Sequence, residues 1–565
     1  MNGLEESRSR QAFANNLNPV ILRTALPISL MENPVAPSNS ILTRFASIVI
    51  LGSIVLALNI QVSAQDKIQL SVDTSKPGPK IDRNIFGQFA EHLGYGVYEG
   101  LWVGPDSKIA NTRGIRNDVV AALKALKVPN VRWPGGCFAD EYHWRKGIGT
   151  RAETLNPNWG GVIEPNTFGT HEFMDFIDQI GSEAYLSVNV GSGTPQEAAE
   201  WLEYLTTSQP TTLAKERSTN GHPAPYKIPM LGIGNESWDC GGNMTPEYYL
   251  RQLTIYSRFV RNFNPAQQGK DQMQKIAVGP GGGEARWTEW TDTIMKAWEK
   301  RQWSWDMQGL SLHNYTVINW DKKFASVGFG EKEYAQILKE TLKMEDLVTK
   351  HSAIMDKYDP QKKISLVVDE WGSWYAPLPG SNPGFLIQQN SIRDAILAAL
   401  NLNIFARHAD RVRGANIAQM INVLQAMIMT DKEKMVLTPT YHVFKLYVPF
   451  QDATFIPVTF GAGAYTNGDI TLPRVDAIAA RDTSGKLWLA LINVDPNNAV
   501  DIEASFSGIS ANSATGETLS APKVDSVNTF DAPNTVTPKQ ISARARNGKL
   551  TINLEPKSVT VVSIL

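Results

Sequence analysis

Two apolar runs in this chain each end on a glutamate. "IPMLGIGNE", Ile228 to Glu236, closes on Asn235 and Glu236, and "ISLVVDE", Ile364 to Glu370, closes on Asp369 and Glu370. A single glutamate at a strand end is ordinarily a loop residue facing water. A second one on another strand end changes the reading, because two opposed carboxylates can divide proton transfer between them. One, protonated, releases a leaving oxygen, while the other, ionised, attacks or supports the carbon left behind; this is the chemistry of glycosidic bond cleavage. Asn235 can bond a hydroxyl beside Glu236. Tyr315, closing "QGLSLHNY", is placed to donate to Glu370. Other chemistries lack their residues. His92 and His143 come without an HExxH or Cys/His ligand spacing, so no metal or other cofactor is expected. No G-x-S-x-G elbow occurs, and "VGSGT", Val190 to Thr194, reads as a strand-to-helix turn capped by Thr194.

Elements that could hold two distant glutamates face to face follow from the pattern around them. Eight short apolar runs alternate with amphipathic helical stretches: Asn84 to Glu91, Val128 to Trp133, Ala184 to Val190, Ile228 to Glu236, Lys275 to Pro280, Gln308 to Tyr315, Ile364 to Glu370 and Gly414 to Met420. Eight βα units predict an α/β fold, a closed (β/α)8 TIM barrel over 84–435, whose C-terminal strand ends meet at one mouth whatever their separation in sequence. An open doubly wound sheet is the alternative, but no Gly-rich phosphate loop follows the first run. Beyond about residue 440 short alternating strands broken by Gly, Asn, Asp and Pro predict an antiparallel, jelly-roll-like β-sandwich over 436–565. "KIQLSVDTS" alternates in the same way, so 65–83 is expected to supply a strand that crosses over to that sandwich.

The composition narrows the partners. With 565 residues, 42% hydrophobic, 19% charged and a formal net charge of -2, the chain has a large core and no basic footprint for nucleic acid. Fifteen Trp and sixteen Tyr offer flat faces that suit sugar rings, though aromatics also fill cores. Arg44, the apolar run Phe45 to Ile60 and "VSA" at Val62 to Ala64 read as a targeting segment over 1–64. Cleavage near Ala64 would export the mature chain, to periplasm or medium, with no membrane role; an uncleaved anchor is the alternative, and Met31 is a second candidate start. Cys137 and Cys240 are the only cysteines. Both sit in Gly-rich segments past strands, and a bridge and two free thiols are equally open.

At this point the sequence resembles a known family, the α-L-arabinofuranosidases of glycoside hydrolase family 51. The resemblance runs from about Lys67 to the C-terminus and is carried by "FGQFAEHLG", "VRWPGGCFADEYHW", "VNVGSGTPQEAAEWLEYL", "GIGNESWDCGGNMTPEYY", "SLHNYT", "VDEWGSWY", "AQMINVLQAMI" and "TPTYHVFKLY". It implies a retaining, exo-acting enzyme that releases terminal non-reducing α-L-arabinofuranose from substrates such as arabinan and arabinoxylan. Glu236 would be its acid/base and Glu370 its nucleophile, with Glu91, Cys137, Asn235, Tyr315 and Gln419 around the sugar. Cys137 stands where many members have Asn. Alternatives are an endo-β-glucanase or β-xylanase of the same clan, or a non-catalytic carbohydrate-binding protein. The expected partner is carbohydrate, with a homo-oligomer possible.

Overall fold

The computed structural model describes residues 67–546 and 549–565. Eight strands close into a barrel: β1 Gly87–Phe89, β2 Asn130–Trp133, β3 Glu183–Val188, β4 Met230–Ile233, β5 Gln274–Ala277, β6 Gly309–Thr316, β7 Ser365–Ser373 and β8 Val412–Ile417. Each pairs in parallel with its sequence neighbours, and β8 returns to β1 through Asn416↔Gly87 and Ile417↔Gln88. The strands are buried on both faces, which is why they read as continuous apolar runs rather than alternating ones. The intervening helices carry their own start signals. Thr194 caps Pro195–Thr206 by accepting from the Glu197 amide at 3.1 Å, with Pro195 at the first helical position.

All eight expected strands are present, with different ends. The run from Asn84 opens as a 3-10 turn, Arg83–Phe86, and gives the barrel only Gly87–Phe89. β4 stops at Ile233, three residues before Glu236, because Gly234 turns the chain at φ +86°. Conversely β7 continues past Glu370 to Ser373, so this glutamate lies within a strand and opposite His313 of β6.

The C-terminal region holds a ten-stranded sheet in which the antiparallel strands Val475–Arg481, Leu487–Asn493, Ser558–Ile564 and Ser513–Leu519 continue into Lys539–Arg546, Lys549–Leu554 and Val500–Ser507. Strands from opposite ends of that order share one core: Ile68, Leu70, Val72, Ile502 and Leu550 pack with Leu489, Leu491 and Val562. The sheet therefore doubles over into a sandwich. Lys67–Asp73 joins it in parallel with Val500–Ser507, from Lys67↔Asp501 to Asp73↔Ser507. Helix Ile392–Arg407, buried along nearly its whole length, lies between barrel and sandwich; Asn403 and Arg407 both donate to Asp476, at 2.9 and 2.8 Å.

At the barrel's lower rim Arg411 is 1% exposed and donates to the Asp359 carboxylate (2.9 Å), the Ile364 carbonyl (2.8 Å), the Asp359 carbonyl (2.8 Å) and Asp356. It locks the entry into β7 against the start of β8. Removing it leaves Asp359 buried without its cation, a loss of about 3–5 kcal/mol. Arg411→Met is expected to lower the unfolding free energy by that amount in urea titration. Arg113→Ala, which breaks the exposed pair with Asp175, should change it by no more than about 1 kcal/mol.

Candidate active site

The loop after β4 is folded back on itself. The Glu236 carbonyl accepts from the amides of Asp239 (2.7 Å) and Gly241 (3.1 Å), and Glu236 itself has φ +36°, a left-handed conformation that costs a non-glycine residue of order 1 kcal/mol. The turn is held from behind by the buried carboxylate of Asp140. That group accepts from the amides of Asn235 (3.0 Å), Val190 (2.7 Å) and Gly191 (2.8 Å), tying the end of β3 to the end of β4. A glycine is needed at 241, where a Cβ would lie 1.8 Å from the Asn235 carbonyl oxygen.

Across the mouth, Glu370 accepts two charge-bearing or polar donors: Nη1 of Arg132 on Oε1 at 2.7 Å and the Tyr315 hydroxyl on Oε2 at 2.8 Å. His313 lies between the two glutamates, its Nδ1 2.9 Å from Glu236 Oε1 and 3.6 Å from Glu370 Oε1, and its Nε2 3.1 Å from Asp369 Oδ1. An oxygen of Glu236 and one of Glu370 come within 4.8 Å of each other.

Burial opposes charge on His313, but Glu370, Asp369 and Glu236 outweigh it and push the imidazole up to about 10, so it is an imidazolium at neutral pH. Burial also works against Asp369; the charges of Arg132 and His313 and the 2.6 Å bond from Tyr185 prevail and hold it below the usual range. Glu236 moves the other way: burial raises it, the charge of Glu370 adds to this, and the His313 bond offsets only part. Glu236 is thus disposed to keep a proton.

A third carboxylate closes the site. Glu91, just past β1, accepts on Oε1 from the amides of Gly136 and Phe138, both at 3.0 Å, and from Trp159 Nε1 at 3.1 Å. Its Oε2 accepts from Gln419 Nε2 at 2.9 Å, while Gln419 Oε1 is buried with no partner among the described residues. Burial, with the charge of Glu370 adding, pushes Glu91 up to about 7. Gly136 keeps the floor open, since a Cβ there would stand 2.7 Å from Glu370 Oε1.

Glu91, Cys137, Glu236, Tyr315, Glu370 and Gln419 line one cavity of about 760 Å3. Asn235, 1% exposed, stands beside them, with Oδ1 accepting from Arg132 Nη2 at 2.7 Å and Nδ2 3.7 Å from Cys240 Sγ. Cys137 and Cys240 are bonded, with Cα atoms 5.5 Å apart, so the choice left open by the sequence falls to the bridge. His92 and His143 are outside the site: His92 is buried against Glu164 and Trp133, and His143 pairs with Glu197. Sequence reading missed Arg132, Asp140, His313, Asp369 and Trp159. A trace of His313 was available, since it stands two residues before Tyr315 and hence on the same strand face.

A closed parallel barrel whose mouth pairs two glutamates in this way defines a glycoside hydrolase. Residues 369–558 match the family model of the alpha-L-arabinofuranosidase C-terminal domain, and residues 122–306 that of the alpha-L-arabinofuranosidase 1 domain. An intracellular exo-alpha-L-arabinofuranosidase of Bacteroides ovatus is 43% identical over 90% of this chain and 98% of its own. The family 51 arabinofuranosidase of Xanthomonas axonopodis pv. citri superposes with a TM-score of 0.85 at 49% identity, covering 88% of this chain and 100% of that one. The arabinose complex of the Thermotoga maritima enzyme gives 0.74 at 29%, over 88% and 100%. The chain belongs to the α-L-arabinofuranosidases of glycoside hydrolase family 51.

The expectation of export is overturned by the B. ovatus relative, which is named intracellular. Residues 1–64, expected from the sequence to be a targeting segment, lie outside the described residues. An arginine, an apolar run and small residues are a compositional pattern, and that pattern alone carried the expectation.

Two measurements probe this cluster. Tyr315→Phe removes a hydrogen bond to a charged group, worth about 1.5–3 kcal/mol, so kcat is expected to fall by roughly 10–100-fold with the fold intact. His313 is raised from 6.5 to about 10, so its contribution to stability is complete below pH 6.5 and is lost as pH rises through about 10. The stability gap between wild type and His313→Asn should therefore be widest near pH 6 and close as pH approaches 10 in denaturant titrations.

Proposed function

We propose that this enzyme removes terminal non-reducing α-L-arabinofuranosyl groups with net retention, by double displacement, from arabinose-bearing plant polysaccharides or oligosaccharides such as arabinan and arabinoxylan. The observation that carries the mechanism is the approach of the two carboxylates to within 4.8 Å, which suits the retaining separation of about 5–5.5 Å and leaves no room for the water an inverting enzyme holds between them. Glu370, oriented by Arg132 and Tyr315, attacks the anomeric carbon. Glu236, with its raised proton affinity, protonates the departing oxygen and then takes a proton from the water that releases the sugar.

Glu91, the free Oε1 of Gln419 and the Cys137 sulfur are the groups offered to the furanose. Exo action is supported by the wall on the Glu91 side. The loops carrying Trp159 and Leu386 meet there backbone to backbone, so that a Cβ on Gly384 would be 2.5 Å from the Gly160 amide nitrogen. The name of the B. ovatus relative supports the same reading. A chain-cleaving glucanase or xylanase would need that end open.

Proton NMR of the first-formed sugar is expected to give the α-anomer; a β-anomer first would remove Glu370 as nucleophile. Aryl α-L-arabinofuranosides should be cleaved, and aryl β-glucosides and β-xylosides should not. Glu236→Ala is expected to lose about 10²–10⁴-fold on unactivated substrates while sparing those with nitrophenolate-type leaving groups; Glu370→Ala should fail on both. Azide should rescue Glu236→Ala to the α-linked azide and Glu370→Ala to the β-linked one. Equal losses on activated and unactivated substrates would contradict the division of roles.

A further inference from the structure

The bridge between Cys137 and Cys240 is not a remote staple. Cys137 lines the catalytic cavity, both cysteines are partly exposed, and Sγ of Cys240 is 3.7 Å from Glu236 Oε2. Both sulfurs and a Glu236 oxygen lie within 4.8 Å of one another. A disulfide sulfur is a poor ligand, whereas the thiolate is a strong one. Tetrahedral zinc, with bonds of about 2.3 Å to sulfur and about 2.0 Å to oxygen, separates a sulfur and an oxygen ligand by about 3.5 Å. The sulfur and the carboxylate already stand near that distance.

We propose that reduction of the Cys137–Cys240 bond creates a site for one thiophilic divalent cation of the zinc class, held by the two thiolates and the Glu236 carboxylate with a water in the fourth position, and that the bound ion switches the enzyme off. The steps balance. A dithiol reductant passes two electrons and two protons to the sulfur–sulfur bond and becomes a cyclic disulfide; the cation then displaces the two thiol protons to solvent as it binds. Glu236, tied to the ion, neither protonates a leaving group nor activates water. The oxidised bridge withholds two of the three ligands and so protects the site. The other set of potential ligands in the mouth, Glu236, His313 and Glu370, is a poor competitor, because both ring nitrogens of His313 are engaged by carboxylates.

The binding half of this inference is independent of the proposed role of Glu236; only the inhibition rests on it. The test uses the full chain, either oxidised or reduced with dithiothreitol and freed of it under nitrogen, with thiols counted before metal is added. Zinc chloride is titrated by calorimetry and cobalt chloride by absorbance, without substrate. The reduced protein should bind one equivalent and show the intense near-ultraviolet thiolate-to-cobalt band, and the oxidised protein should show neither. Reduced Cys240→Ser should lose the tight site, and Glu236→Gln should keep the thiolate band with weakened binding. In a separate assay one equivalent of zinc should abolish hydrolysis of an aryl α-L-arabinofuranoside by the reduced protein only, with activity restored by EDTA. Equal binding to both redox forms, a cobalt spectrum without the thiolate band, tight binding in Cys240→Ser, or a bond that dithiothreitol does not open in the folded chain would each overturn the proposal. Tight binding without loss of activity would retain the metal site and instead count against Glu236 as acid/base.

Discussion

One buried guanidinium makes the mouth of this barrel tenable. Closing eight strands into a ring gathers the buried Glu91, Asp140, Asp369 and Glu370 and the half-buried Glu236 at one mouth, where carboxylates are tolerated only when paired or hydrogen-bonded. Arg132, on β2 and 1% exposed, reaches Glu370 and the Asp369 carbonyl on β7 and Asn235 after β4, with the Phe89 ring 4.8 Å below it. These strands are not neighbours in the sheet. A planar fork with fixed donor directions suits the task in a way a lysine would not, since one cation must orient an oxygen on strand β7 and another on the loop after β4.

Arg132 shares the load with His313, and how the two cations are distributed is what makes the two glutamates unlike. Glu370 receives a guanidinium and a phenol, each at short range, whereas Glu236 has only the imidazolium and a strained turn to hold it. Two chemically identical side chains are thereby given different surroundings, and those of Glu236 raise its proton affinity. The strain at Glu236 is sustained because Asp140, Gly241 and the bridge to Cys137 each fix the same turn independently.

Much of this was legible in the sequence, and for a physical reason. A parallel strand covered on both faces must be apolar throughout, so a glutamate that interrupts such a run is conspicuous; that is how Glu236 and Glu370 stood out. Arg132 did not, because inside "VPNVRW" it reads as a long side chain lifting its charge to solvent. Its partner Glu370 is 238 residues away, and nothing local announces the pairing. Asn235 was legible as polar and well placed, but its bond to Arg132 was not, since that guanidinium comes from a strand 103 residues away in sequence. Strand ends were displaced where backbone geometry decides: Gly234 cuts β4 short, while pairing with β6 carries β7 past Glu370. The pairing of the two cysteines likewise depended on how closely two loops approach, which only the closed barrel sets.

The strand Lys67–Asp73 has a consequence for how the chain is made. It precedes the barrel in sequence, yet its partners are Val500–Ser507 and Val458–Phe460, at the far end. At ribosomal rates of about 5–20 residues per second it therefore waits roughly 20–90 s after emerging before Val500–Ser507 exists. Throughout that interval Ile68, Leu70 and Val72 are a displayed β-edge with an apolar face, the kind of surface that recruits chaperones or pairs with another nascent chain. The barrel, assembled from contacts between successive units, is free to fold meanwhile, so the sandwich completes only when the two ends of the polypeptide meet.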